Sequence, residues 1–371
     1  MNMNMNMNKK YYIGAMSGTS FDAIDVSVIR IQDEISLEFF HSKKIPSQIK
    51  SKIRSLINKE IFTLSELGKL DKQIGSLFSS SIKECIHKNK LHKSSIGCVA
   101  ISGQTICHEV NKKNSFSMQI GDPNIIATET QLPVIYDFRN MHIALGGEGA
   151  PLVPEFHNEL FYKKASPKII LNLGGIANYT YVSNKKNLWG SDVGPGNALM
   201  DAYCQSFLDK PFDKDGKIAS KGKIIKPELK KLLANKFFKK SFPKSTGKEL
   251  FNMSMLSTKF LKEPSENVLA TLAEFSAICI ATSIQQNNHK CKEIVICGGG
   301  GNNRFLLERI SHLVGTKIVL SSSLGFNIQA IESMAFAWLG FKRLTNQSLK
   351  IQLGKNEFNN GLLGSIAQSK R

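Results

Sequence analysis

The chain lacks the cysteine patterns of a disulfide-stabilised or zinc-binding protein. Its seven cysteines are scattered and odd in number, and no two are spaced as Cys-x-x-Cys. We therefore expect reduced, mostly buried thiols rather than a disulfide framework or a zinc site. No His/Cys cluster has the spacing of metal ligands, and we expect His108 and His157 to be hydrogen-bonded structural residues.

Long hydrophobic runs are also missing. The N-terminal Met-Asn repeat, residues 1–8, has no apolar centre and no cleavage site of small residues, so we interpret it as a disordered tail rather than a signal peptide. The most apolar long segment, residues 268–284, still contains Thr271, Glu274 and Ser283, which disfavours a membrane span. These features predict a cytoplasmic protein with no membrane partner.

Three enzyme signatures are absent as well. The chain has no Walker Gly-x-x-x-x-Gly-Lys-Ser/Thr motif, no protein-kinase signature set and no Gly-x-Ser-x-Gly elbow, so those classes lose support. With 371 residues and 41.1 kDa, the chain exceeds one typical core. We therefore expect two domains, with a cleft between them as the natural place for a ligand.

Acidic residues are few relative to basic ones. The chain has 49 Lys and Arg residues against 30 Asp and Glu residues, a formal net charge of +19. Much of the excess lies in the lysine-rich segment, residues 217–248, whose one acidic residue is Glu228. Because this segment lacks arginine and any nucleic-acid motif, we favour a solvated surface and expect no nucleic-acid partner. A modest attraction for anionic small molecules stays open as an alternative.

What the sequence does contain is a turn suited to phosphate. Two apolar runs meet at a short Ser/Gly/Thr turn around Gly18. This glycine would let the backbone approach an anion, the hydroxyls of Thr19 and Ser20 could donate to phosphate oxygens, and Asp22 or Asp25 could face a magnesium shell. An ordinary hairpin turn is the alternative interpretation.

The second half of the chain repeats this pattern. An apolar run at residues 168–173 ends at Gly174 and Gly175, and another at residues 293–297 opens into a glycine run that begins at Gly298. Two three-strand meanders, each followed by helix–strand units, indicate a duplicated α/β architecture. Glycine turns at equivalent strand ends predict a nucleotide held between two related lobes.

The periodicity also predicts individual elements. Ser265 is expected to be the N-cap of a helix whose apolar face includes Val268, Leu272 and Phe275. Further strands are expected at residues 24–31, 35–40, 96–101, 132–136, 176–182 and 188–191, and further helices at about residues 46–59, 64–90, 198–208 and 304–313.

Asp192 is the strongest catalytic candidate. We expect it at the end of a strand, directly ahead of Gly194, Pro195 and Gly196, where its carboxylate would be uncovered by neighbouring side chains. A carboxylate there could take a proton from a hydroxyl or from water. A turn-forming role is the alternative.

Two further charged residues are candidates. Glu332 is expected in a mostly apolar helix, where a carboxylate must be either paired or functional. Arg139 follows a strand and could clamp a carboxylate or a phosphate, although an ion pair with Asp137 or Glu148 is an equal alternative.

These motifs together closely resemble the anhydro-N-acetylmuramic acid kinases, from about residue 11 to about residue 345. They occur in the same order as in that family: IGAMSGTSFD at 13–22, SGQT at 102–105, QIGD at 119–122, DFR at 137–139, GAPLVP at 149–154, NLGGIAN at 172–178, DVGPGN at 192–197, FN at 251–252, CGGG at 297–300 and ESMAFA at 332–337.

The resemblance implies a fold and a reaction. The fold would be α/β, the two-lobed, duplicated ribonuclease H-like fold of actin-like ATPases and sugar kinases, with the active site in the interdomain cleft. The enzyme would use ATP and Mg²⁺ to open the 1,6-anhydro ring of anhydro-N-acetylmuramate with water and to phosphorylate O6. The product would be N-acetylmuramate 6-phosphate, formed in peptidoglycan recycling. The family also favours a homodimer.

Carried onto this chain, the resemblance makes Asp192 the base that activates water and Glu332 a residue that holds or polarises the substrate. Magnesium would be held by the ATP phosphates, with Asp22 as a candidate protein contact. The expected ATP-binding residues are Ser17, Gly18, Thr19, Ser20, Phe21, Asp22, Ala23, Ile24, Gly174, Gly175, Gly298, Gly299 and Gly300. The expected substrate-binding residues are Gln104, Thr105, Arg139, Gly194 and Asn197.

Three positions depart from the family pattern. Ala23 stands where the family typically has Gly, Val193 where Thr is common, and Glu148 where Gln is common. Ala23 would tighten the phosphate turn if its position needs a positive φ. None of the three removes a carboxylate or a glycine of the nucleotide loops, so activity is expected.

The expected domain boundaries place residues 1–138 and about 350–371 in the N-terminal lobe and residues 139–349 in the C-terminal lobe. Two other functions are kept as alternatives. One is a simple hexosamine kinase of the same superfamily, which would incorporate no solvent oxygen. The other is a non-catalytic actin-like module that binds ATP.

Overall fold

The structure is a computed structural model of the chain. It describes residues 10–18, 21–57, 62–110, 114–162, 167–183, 189–247, 250–287, 289, 291–353 and 357–369. The Met-Asn repeat and the phosphate-turn residues Thr19 and Ser20 lie outside the described residues.

Strands and helices alternate in two similar series along the chain. The strands are β1 Tyr11–Ser17, β2 Ala23–Ile31, β3 Ile35–Lys44, β4 Ile96–Ile101, β5 Gln104–Glu109, β6 Phe116–Ile120, β7 Val134–Tyr136, β8 Lys168–Leu173, β9 Ile176–Val182, β10 Trp189–Pro195, β11 Glu293–Cys297, β12 Lys317–Leu320, β13 Leu349–Gln352, β14 Phe358–Gly361 and β15 Ser365–Ala367. The helices are α1 Ser47–Ile57, α2 Leu64–Lys88, α3 Pro123–Thr130, α4 Phe138–Ala144, α5 Pro154–Phe161, α6 Ala198–Phe207, α7 Lys226–Leu233, α8 Thr258–Leu261, α9 Ser265–Gln286, α10 Arg304–Val314 and α11 Ile331–Leu344.

The first compact unit is built on a mixed sheet with the order β15-β7-β4-β1-β2-β3. β1, β2 and β3 form an antiparallel meander, and β4 and β7 extend the sheet parallel to β1. Alternate residues of β1 face opposite layers, as a strand requires. Ile13 and Ala15 belong to the apolar core that includes α2, whereas Gly14 contacts α11.

The second compact unit repeats this arrangement with the order β10-β9-β8-β11-β12. β8, β9 and β10 form the antiparallel meander, and β11 and β12 run parallel to β8. One apolar core joins this sheet to α6, α9 and α10. The two sheets confirm the α/β class and the duplicated ribonuclease H-like architecture predicted from the sequence.

The contacts divide the chain differently from the sequence-derived boundaries. The first unit comprises Met1–Phe156, Ala330–Leu353 and Glu357–Arg371, and the second comprises His157–Gln329 and Gly354–Asn356. α11 belongs to the first unit because it packs on β1, β2 and β4. A hydrogen bond of 2.6 Å between the hydroxyls of Ser27 and Ser333 fixes this contact in the interior.

Two local predictions need correction. Pro264, not Ser265, occupies the N-cap position of α9, without a capping side-chain bond, and the Ser265 hydroxyl lies 3.1 Å from the Tyr203 hydroxyl instead. β10 continues to Pro195, so Asp192 lies within a strand rather than at its end. A bulge between Asp192 and Gly194 lets the strand continue through the glycine and proline residues.

The apolar helix and the cysteines agree with their sequence patterns. α9 is long and apolar enough to cross a membrane by length and composition, and 83% of that stretch is buried inside the structure. This burial is what a core helix of a folded domain shows. All seven cysteines are free, and five of them are buried.

Gly14 allows the backbones of β1 and α11 to touch. A Cβ atom at this position would lie 1.9 Å from the carbonyl oxygen of Ser333 and 2.4 Å from the amide nitrogen of Ala337. Because backbone atoms cannot move aside cheaply, we expect Gly14→Ala to lower the free energy of unfolding by at least about 2 kcal/mol. Chemical denaturation measures this change.

Gly68 provides the matched control in the same unit. It is an exposed glycine of α2 with no atom within 4 Å of a Cβ placed there. Gly68→Ala is expected to stabilise the protein by about 0.5–1 kcal/mol, since alanine is the better helix former. Equal effects of the two substitutions would contradict the proposed backbone contact.

Candidate active site

In the first unit, the predicted phosphate turn begins at Ser17, the last residue of β1. This serine is buried, its N–H donates to Ser102 Oγ (3.1 Å), and its hydroxyl donates to Gln104 Oε1 (2.7 Å). Gln104 is fully buried. Two of the predicted polar turns, after β1 and after β4, are therefore hydrogen-bonded to each other.

The rest of this turn combines open backbone with core residues. A Cβ at Gly18 would meet no atom within 4 Å, and the Gly18 carbonyl accepts the N–H of Phe21, which has a φ of 43°. Ala23 starts β2 in extended conformation, so the family glycine is not needed for a positive φ here. Ile24 is fully buried in the core, so its side chain packs rather than faces a ligand.

The two predicted magnesium contacts differ. Asp22 is exposed, and its carboxylate pairs with Lys50 Nζ at 2.9 Å. Asp25 lies in β2, accepts the Ser42 hydroxyl at 2.6 Å, and has a pKa raised by burial, which the Ser42 hydrogen bond partly offsets. A raised pKa weakens a carboxylate as a magnesium ligand, so Asp22 is the better candidate.

A second polar cluster of the first unit lies on the β5–β6 hairpin. Gln119 donates to the hydroxyls of Ser117 (2.7 Å) and Thr105 (3.4 Å), and Ser117 lies 3.0 Å from His108 Nδ1. Thr105, predicted to contact substrate, is thus oriented by a neighbouring strand. The Asn140 side chain of α4 accepts the N–H of Ser117 and so joins this helix to the hairpin.

Arg139 and His142 connect α4 to the following glycine loop. Arg139 donates through a guanidinium nitrogen to the Gly149 carbonyl (2.8 Å), and the Gly149 N–H donates to His142 Nδ1 (2.9 Å). A ring nitrogen that accepts this bond carries no proton. Burial, and to a lesser degree the Arg139 charge, lowers the pKa of His142 and of His108 from 6.5 to about 4.

The surroundings of Arg139 and Glu332 bear on the alternatives kept for these two residues. Of the two predicted pairings of Arg139, the one with Glu148 stays a prediction. Asp137 accepts the Asn140 side chain instead, at 2.8 Å. Glu332 is half-buried in the first turn of α11, surrounded along the helix by buried residues.

In the second unit the predicted glycine loops meet. The carbonyls of Gly174 and Gly175 accept the backbone N–H groups of Asn197 (2.9 Å) and Gly196 (2.9 Å). A Cβ at Gly300 would lie 2.5 Å from Asn197 Nδ2. These contacts gather the loops after β8, β10 and β11 at one edge of the sheet. Asn197, expected to bind substrate, adjoins the predicted nucleotide loops.

The backbone of these loops also has open space around it. A Cβ at Gly299 would meet no atom within 4 Å, and one at Gly174 would meet no atom closer than 3.5 Å. Gly298 has a φ of 81°, which favours glycine, and α10 starts shortly after it. Exposed backbone at a strand end and a helix start fits a nucleotide phosphate.

The Asp192 carboxylate is not uncovered, contrary to the prediction. Asp192 is 6% exposed, and its Oδ2 accepts the N–H of Thr246 (2.9 Å) and the hydroxyl of Ser245 (3.4 Å). Gly194 packs against Cys279 and Phe238, so its neighbourhood is apolar. The segment that covers Asp192 follows about 50 residues later in the chain and could not be assigned to it from local sequence.

Comparison with known proteins identifies the family. A family model described as anhydro-N-acetylmuramic acid kinase matches residues 10–368. A relative named anhydro-N-acetylmuramic acid kinase, from Gamma-proteobacterium EBAC31A08, is 60% identical over 364 residues, which are 98% of this chain and 100% of the relative. This chain belongs to the anhydro-N-acetylmuramic acid kinase family. It is therefore an enzyme of the kinase class.

More distant similarities also cover nearly the whole chain. The anhydro-N-acetylmuramic acid kinase of Shewanella denitrificans is 37% identical over 367 residues, 97% of this chain and 99% of that protein. Component A of (R)-2-hydroxyglutaryl-CoA dehydratase from Acidaminococcus fermentans, a solved structure, is 12% identical with a TM-score of 0.48, covering 91% of this chain and 99% of that one.

Sequence reasoning missed several polar residues of this kinase family member. Ser117, Asn140 and His142 orient the predicted sugar contacts, and residues 244–246 cover Asp192. Ser117, Asn140 and His142 lie near Thr105 or Arg139 in the sequence, and this proximity is the one signal by which the sequence could have indicated them. Residues 244–246 belong to the lysine-rich segment, whose composition points to a solvated surface.

The neutral state of His142 predicts an acid-sensitive fold. The His142 side chain takes up a proton below about pH 6.5 in the unfolded chain, but only near pH 4 in the folded protein. The neutral His142 therefore contributes its full stability above pH 6.5, and this contribution falls as the pH drops from 6.5 to 4. His142→Asn keeps an acceptor without titrating. Between pH 7 and pH 4.5, we therefore expect the free energy of unfolding of the parent to fall by about 1–3 kcal/mol more than that of the His142→Asn variant.

Equilibrium denaturation at several pH values tests this expectation. His312→Asn is the control for residue type, since His312 is exposed on α10. It is expected to follow the parent at every pH. A His142→Asn curve parallel to the parent curve would show that His142 does not contribute to the acid sensitivity.

Proposed function

We propose that this enzyme converts 1,6-anhydro-N-acetylmuramate, water and ATP into N-acetylmuramate 6-phosphate and ADP. The membership in the kinase family over residues 10–368 carries this proposal. Water attacks C1 and gives up a proton, the C1–O6 bond breaks, and O6 receives the γ-phosphoryl group of ATP. Phosphorylation traps the released oxygen and prevents the ring from closing again.

Asp192 is the proposed base that accepts the proton from water. Its carboxylate oxygen is held by the Thr246 N–H, so the group is fixed rather than free to rotate. Burial at 6% exposure also excludes most competing water. A fixed carboxylate that accepts a proton in the transition state typically contributes about 10²–10⁴ in rate.

The sugar contacts are proposed in the first unit. Thr105 is oriented by Gln119, and the Arg139 guanidinium is positioned by its donation to the Gly149 carbonyl. A guanidinium group suits the lactyl carboxylate of the substrate. Gln104 and Glu332 are proposed to complete substrate binding, with Glu332 holding or polarising the sugar.

The ATP contacts are proposed at the turn that starts at Ser17 and at the glycine loops around Gly174 and Gly298. Magnesium would neutralise the phosphate charge when bound, and Asp22 is the proposed protein contact. In the described residues no group of three or more His, Cys, Asp or Glu side chains could hold a metal ion, so the phosphates would supply most of its ligands. We also propose that the enzyme is a cytoplasmic homodimer, on the family resemblance.

Labelled water separates this reaction from a simple kinase. In H₂¹⁸O with Mg-ATP and anhydro-N-acetylmuramate, we expect ADP release and one ¹⁸O atom at C1 of the phosphorylated sugar, measured by mass spectrometry. An unlabelled product from an open amino sugar would favour the hexosamine kinase instead. Absence of ADP release with the anhydro sugar would contradict the proposed activity.

Replacement of Asp192 tests the base. Asp192→Asn keeps the size and an acceptor for the Thr246 N–H but removes the proton acceptor, so kcat is expected to fall by at least about 10² while nucleotide binding persists. Steady-state kinetics and ATP titration measure the two properties. Asp209→Asn, at an exposed turn of the same unit with a φ of 51°, is expected to retain full activity. A fully active Asp192→Asn variant would remove Asp192 from the mechanism.

A further inference from the structure

One lysine of the lysine-rich segment does not behave as the composition predicts. Lys244 is 5% exposed, whereas the other described lysines of the segment are exposed. Burying an ammonium group is costly unless its charge is compensated. Among the described residues, no carboxylate lies within 4.0 Å of the Lys244 ammonium.

Aromatic rings surround this ammonium group. Lys244 Nζ lies 4.2 Å from the ring centroid of Phe242, 4.4 Å from that of Phe237 and 5.8 Å from that of Phe238. It also donates to the Phe237 carbonyl at 3.3 Å. The faces of aromatic rings attract a cation, and most strongly where water is excluded. We call these three phenylalanines the Lys244 cage.

The cage is anchored in the core of the second unit. The Phe237 ring packs edge-on against Phe251 at 5.5 Å, and the Phe238 ring packs edge-on against Phe275 of α9 at 5.7 Å. Phe237, Phe251 and Phe275 are all at most 2% exposed. The lysine head group is therefore held by residues that are themselves fixed by packing.

The backbone of Lys244 is bound to β10 beside the proposed base. Its N–H donates to Ser191 Oγ at 2.9 Å, and its carbonyl accepts the N–H of Asp192 at 3.0 Å. The next two residues then reach the carboxylate, through the Thr246 N–H at 2.9 Å and the Ser245 hydroxyl at 3.4 Å. We call residues 244–246 the Asp192 strap.

We propose that Lys244 is a positioning residue of this enzyme, whose caged ammonium group holds the Asp192 strap in the place where it orients the Asp192 carboxylate. This inference rests on the proposed role of Asp192 as the base. The cage fixes one end of the strap, Ser191 fixes its backbone, and the Thr246 N–H fixes the carboxylate oxygen. Burial lowers the pKa of Lys244 to about 8, yet the group remains largely protonated at neutral pH.

The proposal makes a specific kinetic prediction. Lys244→Met fills the cage without a charge and should loosen the strap, so kcat is expected to fall about 10- to 100-fold, since small misplacement of a catalytic group has effects of this size. KM for ATP and for the sugar should stay within about twofold, because the strap contacts the base. Lys244→Arg keeps a cation for the cage and is expected to recover kcat to within about threefold of the parent.

Lys240 supplies the matched control. It belongs to the same segment and its Nζ lies 5.9 Å from the Phe237 centroid, but its side chain is exposed. Lys240→Met is expected to leave kcat and KM unchanged. If Lys244→Met does not fold, Ser191→Ala tests the same strap by removing the acceptor of the Lys244 N–H, with the same expected fall in kcat at constant KM.

The outcomes separate this inference from the proposed function. An impaired Asp192→Asn variant together with a folded, fully active Lys244→Met or Ser191→Ala variant overturns the positioning role alone. A loss of activity in proportion to the folded fraction, with no fall in kcat per folded molecule, overturns it as well. A fully active Asp192→Asn variant overturns the role of the base and, with it, the reason for the strap.

Discussion

The parallel pairing of β8 with β11 is the interaction on which the candidate site of the second unit depends. Asn172 pairs with Cys297, so the residues that follow both strands emerge at the same edge of the sheet. Gly298 has a positive φ, and a Cβ there would lie 2.4 Å from Asn172 Oδ1. Only a residue without a side chain allows this close approach. The predicted nucleotide loops can therefore meet because β8 and β11 are aligned and Gly298 has no Cβ.

Burial sets the charge of the histidines around Arg139 in the first unit. His108 and His142 stay neutral because they are buried near Arg139, and the His142 ring accepts a backbone N–H that a protonated ring could not accept. The guanidinium group is thereby the cation of its polar cluster.

Much of the fold followed from local sequence patterns. Continuous apolar runs such as residues 168–173 indicate buried strands, and glycine turns indicate where these strands end. Both meanders and their order along the chain were therefore predictable. Boundaries were less predictable. β10 continues past Asp192 through a bulge, because cross-strand pairing outweighs the local preference for a turn. The first turn of α9 has no side-chain cap, because packing outweighs the local capping preference.

The sequence alone determined the α/β class, the duplication and the family, since ordered motifs and periodicity are local properties. It also identified Asp192 and Arg139 as candidates from their expected positions at or just after the ends of strands. Only the tertiary structure decided their surroundings. The cover over Asp192 comes from residues 244–246, and the Gly149 carbonyl that Arg139 binds lies in a loop ten residues away. Lys244 shows the reason most clearly. The composition of the lysine-rich segment predicts that this lysine is exposed to solvent, but its packing among Phe237, Phe238 and Phe242 buries it.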